Sequence, residues 1–586
     1  MTTGTVDLLL WWEATKPSVA SDRFFLPSFL STSHSSLRSD KAYSHSRPIR
    51  NPTPRSLSLW QESQKRDRRG ERRKYSKQPF KMFPSRLPDL PLEIWEHILH
   101  FVPEPSIYDI KLVNHQLREL IADSTSLQYR LQLYRAGYED NTRVTQPSVT
   151  TKREQLREYE AAWLDGECAV PVREVFKGTS GPELTGDTLV TMGRARMRFI
   201  KLPSKAKRLP TRGWTVDLTF DGWSVAMHPP TNVMVVSEYT GSISSVPIHI
   251  LRMDTGQPHP LASIPALQHD VRDNFAEIYP PFMSISQSVV AILFRESGQA
   301  EQVIDEDRLF VWNWRTGSKI LSLNNTYYET LTLFSDTWLV AGYAFRPVDD
   351  RLPDNYALHL VDTSTKPVET TRFELSVPSY GDHGHFAGLH SGESAFYGPP
   401  SEVGPQPPFL PTSSEAIVTA RIQMCDTTTD EHAAYCVTLR LCELLELAKR
   451  GGPYVRWEDW AAYTSIWEKK GLIQHIFSDF CVSGWRLACP LKGVEPGKLT
   501  FEIHEFNSCC GPPTSLSNVK KGKESEGKVA SNLRSSKRVK ELVFKCTEGL
   551  EDLTNLSTNV MITEDNLILV TWTPGIMAWS MTVITF

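Results

Sequence analysis

At 586 residues, with 40% apolar, 10% aromatic and 23% charged composition, the chain exceeds the size at which single cores stop growing, so two to four units are expected. A formal charge of −4 supports neither a nucleic-acid coat nor a strong acidic field. No run approaches the roughly 18 apolar residues of a membrane-spanning helix, and nine cysteines without a Cys-x-x-Cys pair fit reduced thiols and no zinc site. The apolar patch Leu8 to Trp12 is short, lacks a preceding positive region and runs into Glu13, which makes a poor secretion signal. The expected location is therefore the cytoplasm, the nucleus or both.

Residues 1–81 are rich in Ser, Pro and Arg and carry no sustained period, so they read as a disordered tail. Its basic cluster Lys65 to Lys74 reads as a solvated charge run or a nuclear address.

The stretch Leu87 to Leu131 changes character. Ile94, Ile98, Phe101 and Val102 fall at helical spacing, with Trp95 and Leu99 beside them. After Pro103 and Pro105, Ser106 with Asp109 predicts a capping box, and Ile110, Val113, Leu117, Leu120 and Ile121 predict one second amphipathic helix. Leu90, Pro91, Glu93, Ile94, Ile98, Leu99, Leu112 and Val113 occupy the places of a Leu-Pro-x-Glu, Ile-Leu, Leu-Val pattern. On these residues the segment 82–135 resembles the F-box. It departs from that family at Leu117, where many members carry Trp, and at the Glu104-Pro105 connection.

The resemblance implies a Skp-family adaptor as partner, and through it a cullin scaffold. It also implies an adaptor interface of Leu87, Pro88, Leu90, Pro91, Ile94, Ile98, Leu99, Val102, Leu112 and Val113. Periodicity alone predicts only a helical hairpin.

Residues 136–171 contain Leu156, Tyr159 and Trp163 at near-helical spacing and read as a helical linker, a semi-rigid spacer ended by Pro171. From 172 to 586 the period becomes alternating. A strand ending in Asp or Asn before a polar turn recurs at Asp254, Asn313, Asp362 and Asp426, with weaker copies at Leu499 to Phe506 and Met581 to Phe586. Intervals of 59, 49 and 64 residues each hold four short strands and a loop. Such sheets have two faces to cover and stack radially, which predicts a propeller of six or seven blades. A large β-sandwich or two smaller all-β domains is the alternative.

Asp336 to Gly342 reads as an inner strand, and ring closure is expected from a terminal strand pairing with the first blade. Two excursions interrupt the strands. Leu439 to Arg450 with Trp457 to Trp460 predicts a helical insertion, and 515–540 a disordered basic loop. The insertion, together with Ser483 to Arg486, resembles an element of fungal F-box proteins with a propeller-like, WD-repeat-like C-terminal half. The expected class is thus α+β multidomain, a small helical F-box module followed by a mainly β, propeller-like domain at 172–586.

No phosphate loop, nucleophile elbow or His-Glu-x-x-His is present in the sequence, so no catalytic residue, cofactor or metal is expected. His383, His385 and His390 read as surface residues of a Gly-rich loop. The expected function is a non-enzymatic substrate receptor of a cullin-based ubiquitin ligase that binds an unidentified protein. Neither membrane nor nucleic acid is an expected partner. A non-ligase propeller scaffold is the alternative reading, and an enzyme using the central channel ranks last.

Overall fold

A computed structural model describes residues 90–165, 172–176, 182–204, 209–240, 245–270, 277–278, 280–294, 296–297, 308–323, 328–345, 355–365, 368–376, 383–391, 407–412, 416–426, 431–471, 481–483, 486–495, 498–506, 538–545, 558–573 and 578–586. The expected tail 1–81 and most of the expected loop 515–540 lie outside them.

Five helices come first: α1 (Leu92–His100), α2 (Glu104–Val113), α3 (His115–Asp123), α4 (Thr125–Ala136) and α5 (Val149–Asp165). The single second helix expected from the spacing is two. Asn114 leaves helical geometry at φ −135° and its side chain accepts from Leu117 N at 3.1 Å, so it caps α3 and divides the run. Ser106 is likewise not a cap, because α2 begins at Glu104 behind Pro103.

The remainder forms seven antiparallel blades among the described residues. Blade 1 is Glu183–Thr185, Thr188–Met192, Arg196–Lys201 and Arg212–Asp217; blade 2 is Gly222–His228, Val233–Glu238, Ser245–Arg252 and Ala266–Asp270. Blade 3 is Phe282–Ile285, Val289–Phe294, Arg308–Asn313 and Ser318–Leu323; blade 4 is Tyr328–Leu333, Trp338–Phe345, Asn355–Asp362 and Glu369–Leu375. Blade 5 is His383–Ser391, Ile417–Asp426, Glu431–Arg440 and Thr464–Gly471; blade 6 is Cys481–Ser483, Arg486–Glu495, Lys498–Glu505 and Arg538–Lys545. Blade 7 takes Thr558–Ile562, Asn566–Thr573 and Ala578–Thr585 from the end of the chain and Val172–Phe176 from the start of the β region.

First strands of successive blades are neighbours. They run in the same direction: Ser224 Oγ, near the start of one, donates to Pro281 O, just before the start of the next. The start of these inner strands defines the upper end of the ring, and the turns from first to second strand define the lower end.

Second strands are buried on both sides because a blade packs on each face, which is why Val289–Phe294 is apolar at every position and wholly buried. Each of the seven gaps between blades holds its own apolar cluster, from Leu189, Ile200, Ile568 and Val583 between blades 7 and 1 to Ile417, Cys436, Val482 and Leu487 between blades 5 and 6. The alternative of a large β-sandwich or two smaller all-β domains is therefore set aside.

The recurring Asp or Asn closes the third strand and turns the chain: Asn313 Oδ1 accepts from Arg315 N and Thr316 N, both at 3.0 Å, and Asp362 Oδ1 from Ser364 N at 2.9 Å. Gly256 and Gly317 complete such turns at φ +70° and +71°. A Cβ there would lie 2.4 Å from Val216 Cγ1 or 2.6 Å from Ile264 Cδ1, so both the angle and the space require glycine.

Several expectations shift. Asp426 ends a second strand, not a third, so the interval of 64 residues from Asp362 joins unlike positions. The strand starting at Trp338 is a second strand, shielded by Tyr328–Leu333 on its inner side. Closure pairs the final strand with Val172–Phe176 inside the last blade, from Val172 opposite Val583 to Phe176 opposite Trp579. His383, His385 and His390 lie in a strand and not in a loop, and the strand starting at Arg538 begins inside the expected loop 515–540.

Between the third and fourth strands of blade 5 the chain forms α6 (Leu441–Gly451), Tyr454–Val455 and α7 (Trp457–Trp460). Tyr454–Val455 pairs in parallel with the outer strand of blade 4, and the fully buried Trp460 donates from Nε1 to Glu374 O at 2.8 Å. This insertion latches blade 5 onto blade 4.

Candidate protein-binding site

The helices α1 to α4 make a small body whose interior is Leu99, Ile107, Leu117, Ile121, Leu127 and Leu131. Polar contacts fix their order. The Glu96 carboxylate accepts from Ser124 Oγ and from Ser126 Oγ, the latter at 2.8 Å, and these hydroxyls hold it below the usual carboxylate range. Arg130 pairs with Glu104 at 2.6 Å and donates to Leu99 O at 3.2 Å and His100 O at 2.6 Å. It thereby satisfies the His100 carbonyl at the C-terminus of α1 and joins Val102 N on that of Leu99.

Outside this interior, apolar side chains of α1 and α2 stay uncovered among the described residues. Ile94 and Ile98 of α1 and Phe101, which caps its C-terminus, recur at i, i+4 and i+7 on one side, all three exposed, Phe101 at 76%. Leu90, Leu92 at 62% and, on α2, Leu112 at 80% are exposed as well. Large apolar side chains exposed on a small helical body make a candidate partner surface.

Of the residues the sequence assigns to an adaptor interface, Leu90, Pro91, Ile94, Ile98 and Leu112 are exposed. Val102 is half-buried and Leu99 is core, 2% exposed; Leu99 fills the space between helices and is not on the surface. Val113 closes α2, and Leu87 and Pro88 lie outside the described residues. Leu92 and Phe101 were missing from the assignment. Phe101 was visible in the spacing, whereas Leu92 had only its apolar character.

The helical body is anchored to the lower end of the ring. Tyr138–Asp140 pairs with Phe409–Pro411, a segment between the first two strands of blade 5. The helix α5 is not a spacer between bodies, as expected, but part of the packing beneath blades 6 and 7. Its Leu156, Tyr159, Ala162 and Trp163 are buried with Ala488, Ile503, Val560, Leu569 and Phe586. Trp163 stacks on Phe586 at 4.0 Å and donates to Glu564 O at 2.9 Å; Tyr159 donates to the same carbonyl.

Arg486, buried at the lower end of blade 6, donates to Tyr159 Oη at 3.2 Å and to Glu564 O at 3.3 Å, pairs with Glu505 at 3.2 Å, and lies 4.4 Å from the Trp163 ring. A buried guanidinium is tolerated only with such a set of partners.

Between the inner strands of blades 1 to 4 is a cavity of about 100 Å³ lined by Thr185, Val225, His228, Met283, Ser286 and Phe334. It is smaller than the roughly 300 Å³ of an ordinary ligand site. Burial pushes the His228 imidazole down to about 4, and its Nδ1 meets Thr231 Oγ1 at 2.7 Å. Among the described residues no group of three His, Cys, Asp or Glu could hold a metal ion, and no helix is long and apolar enough to cross a membrane.

No family model matches the chain, and no curated protein matches it. Solved structures with similar outlines include Drosophila Plexin A in complex with Semaphorin 1b, 8% identical, covering 71% of this chain and 87% of that one at a TM-score of 0.37. The β-propeller domain of the trilobed protease from Pyrococcus furiosus is 6% identical, covering 68% and 93% at 0.32. Pyrococcus horikoshii acylaminoacyl peptidase is 8% identical at 0.30, and this chain spans 68% of itself but only 49% of that one. The seven-bladed ring rests on the strand order itself and not on these likenesses.

Proposed function

We propose that this chain is a substrate receptor of a cullin-based ubiquitin ligase, with α1 to α4 binding a Skp-family adaptor and the propeller binding a protein substrate. The observation that supports it is the uncovered apolar face of α1 and α2 on a helical body anchored to a propeller; the Leu-Pro-x-Glu, Ile-Leu, Leu-Val pattern names the adaptor. In this reading the subunit performs no bond chemistry. It raises the effective concentration of a substrate lysine near the ubiquitin carrier.

The test is co-purification of the tagged full chain with a recombinant Skp-family adaptor and a cullin. Ile94→Glu with Ile98→Glu changes two exposed positions, so the fold should persist while adaptor recovery falls by at least about tenfold, as for the loss of central interface anchors. Adaptor recovery that is unchanged in the double variant at an unchanged melting temperature overturns the interface. Adaptor binding without a cullin would favour the scaffold reading.

A further inference from the structure

We propose that Trp223 and Tyr239, at the upper end of blade 2, form a seat for a cationic side chain, lysine or methylated lysine, presented by a partner protein. The proposal stands independently of the adaptor reading, because the helices are anchored at the lower end.

The two rings are held at a corner by the backbone. Trp223 sits in an irregular step of the inner strand, where pairing shifts between Gly222 opposite Glu238 and Ser224 opposite Ser237. A bulge of this kind turns a side chain out of the ladder. Tyr239 N donates to Asp221 O at 2.8 Å and Gly222 N to Arg194 O at 2.8 Å, which fixes both ends of the corner. The ring centroids lie 5.6 Å apart with planes at 69°. Tyr239 is 57% exposed and Trp223 half-buried, so solvent reaches this edge-to-face pair.

The chemistry favours a cation over an apolar or acidic group. Aromatic faces carry the negative part of the ring quadrupole and attract ammonium groups. Elsewhere the protein covers such faces with its own cations: Lys319 lies 4.7 Å from the Phe310 ring and 5.4 Å from Trp312, Arg315 lies 5.3 Å from Trp314, and Arg372 lies 5.2 Å from Tyr343. Among the described residues no cation covers Trp223 or Tyr239. The exposed Asp221 adds a carboxylate next to the corner, beside the exposed Arg194 whose carbonyl accepts from Gly222 N. On the other side Ser224 Oγ holds Pro281 O at 2.9 Å, placing the exposed Phe282 of blade 3 next along the same end.

Binding of fluorescein-labelled pentapeptides Gly-Gly-X-Gly-Gly to the full chain tests this, with X lysine, trimethyllysine, norleucine or glutamate, read by fluorescence anisotropy. The lysine or the trimethyllysine peptide should bind about two- to fivefold more tightly than norleucine, the factor expected of one cation–π contact at an exposed site, with glutamate weakest. Which of the two cations binds better tells whether a methyl mark is read. Tyr239→Ala should abolish the preference, and Trp223→Phe, which keeps a ring, should retain part of it, with both melting temperatures unchanged. Equal binding of norleucine and the cationic peptides, no binding of any peptide at millimolar concentration, or a preference that survives Tyr239→Ala overturns the proposal.

Discussion

Asp336 shows how single residues hold neighbouring blades in register. It sits in the turn between the first two strands of blade 4, yet its Oδ1 accepts from Ser286 Oγ at 2.6 Å and Ser288 N at 2.8 Å, and its Oδ2 from Ser288 Oγ at 2.6 Å, all from blade 3. Burial pushes its carboxyl up, but these bonds and the Arg315 charge outweigh it, so the net direction is down. A carboxyl lowered on folding stabilises the native state above its unfolded pKa, and the contribution is lost as pH falls through the folded value. Asp336→Asn presents an amide to donors and should cost about 2 kcal/mol. In thermal unfolding the variant should melt below the parent chain at pH 7, and the gap should close as pH falls below the ordinary carboxylate range. Equal melting at pH 7 would show that this contact between blades carries no stability.

At the scale of elements, α5 decides how the helices and the propeller move together. Trp163 is 4% exposed and joins Phe586 and Glu564, so Trp163→Ala should cost about 3 to 5 kcal/mol, the usual loss for a buried large aromatic. Limited proteolysis should then cut within 141–165 and free α1 to α4, whereas the parent chain resists; equal resistance would mean that α5 contributes no anchoring. This role was not legible in the sequence. The spacing of Leu156, Tyr159 and Trp163 marked a helix with a buried side, but the partner of Tyr159 lies 405 residues away, beyond any local period. The third strands were legible because their Asp or Asn turn chemistry is local, as at Asn313 and Asp362. Asp426 misled for the same reason: a strand ending in Asp before Thr residues looks alike whether it is second or third. In the candidate site, the apolar face of α1 was legible as a stripe, but whether Leu99 or Phe101 faces outward depends on α3 and α4, which the period of α1 does not encode.

At the scale of the whole molecule, the ring is closed by a short strand from one end of the β region paired with a strand from the other, so both must be in place for blade 7 to be complete. The cluster of Leu189, Ile200, Leu202, Ile568, Val570, Met581 and Val583 fills the gap between blades 7 and 1, and a ring opened at blade 7 would expose it to water. In an antiparallel pair, alternate residues aim their N–H groups at the partner. Of the adjacent positions Glu174 and Val175, paired with Met581 and Ser580, only one therefore donates into the ladder. Proline removes that donor, while at the other position its missing N–H faces away from the ladder and an edge strand tolerates it. One of Glu174→Pro and Val175→Pro should thus lower stability by about 1 to 3 kcal/mol and speed amide hydrogen exchange across 578–585, and the other should behave nearly as the parent chain. If both prolines left melting and exchange unchanged, the seven gap clusters alone would hold the ring, and its closing strand would be dispensable. If both were equally damaging, the loss would come from the fixed proline angle and not from the ladder bond.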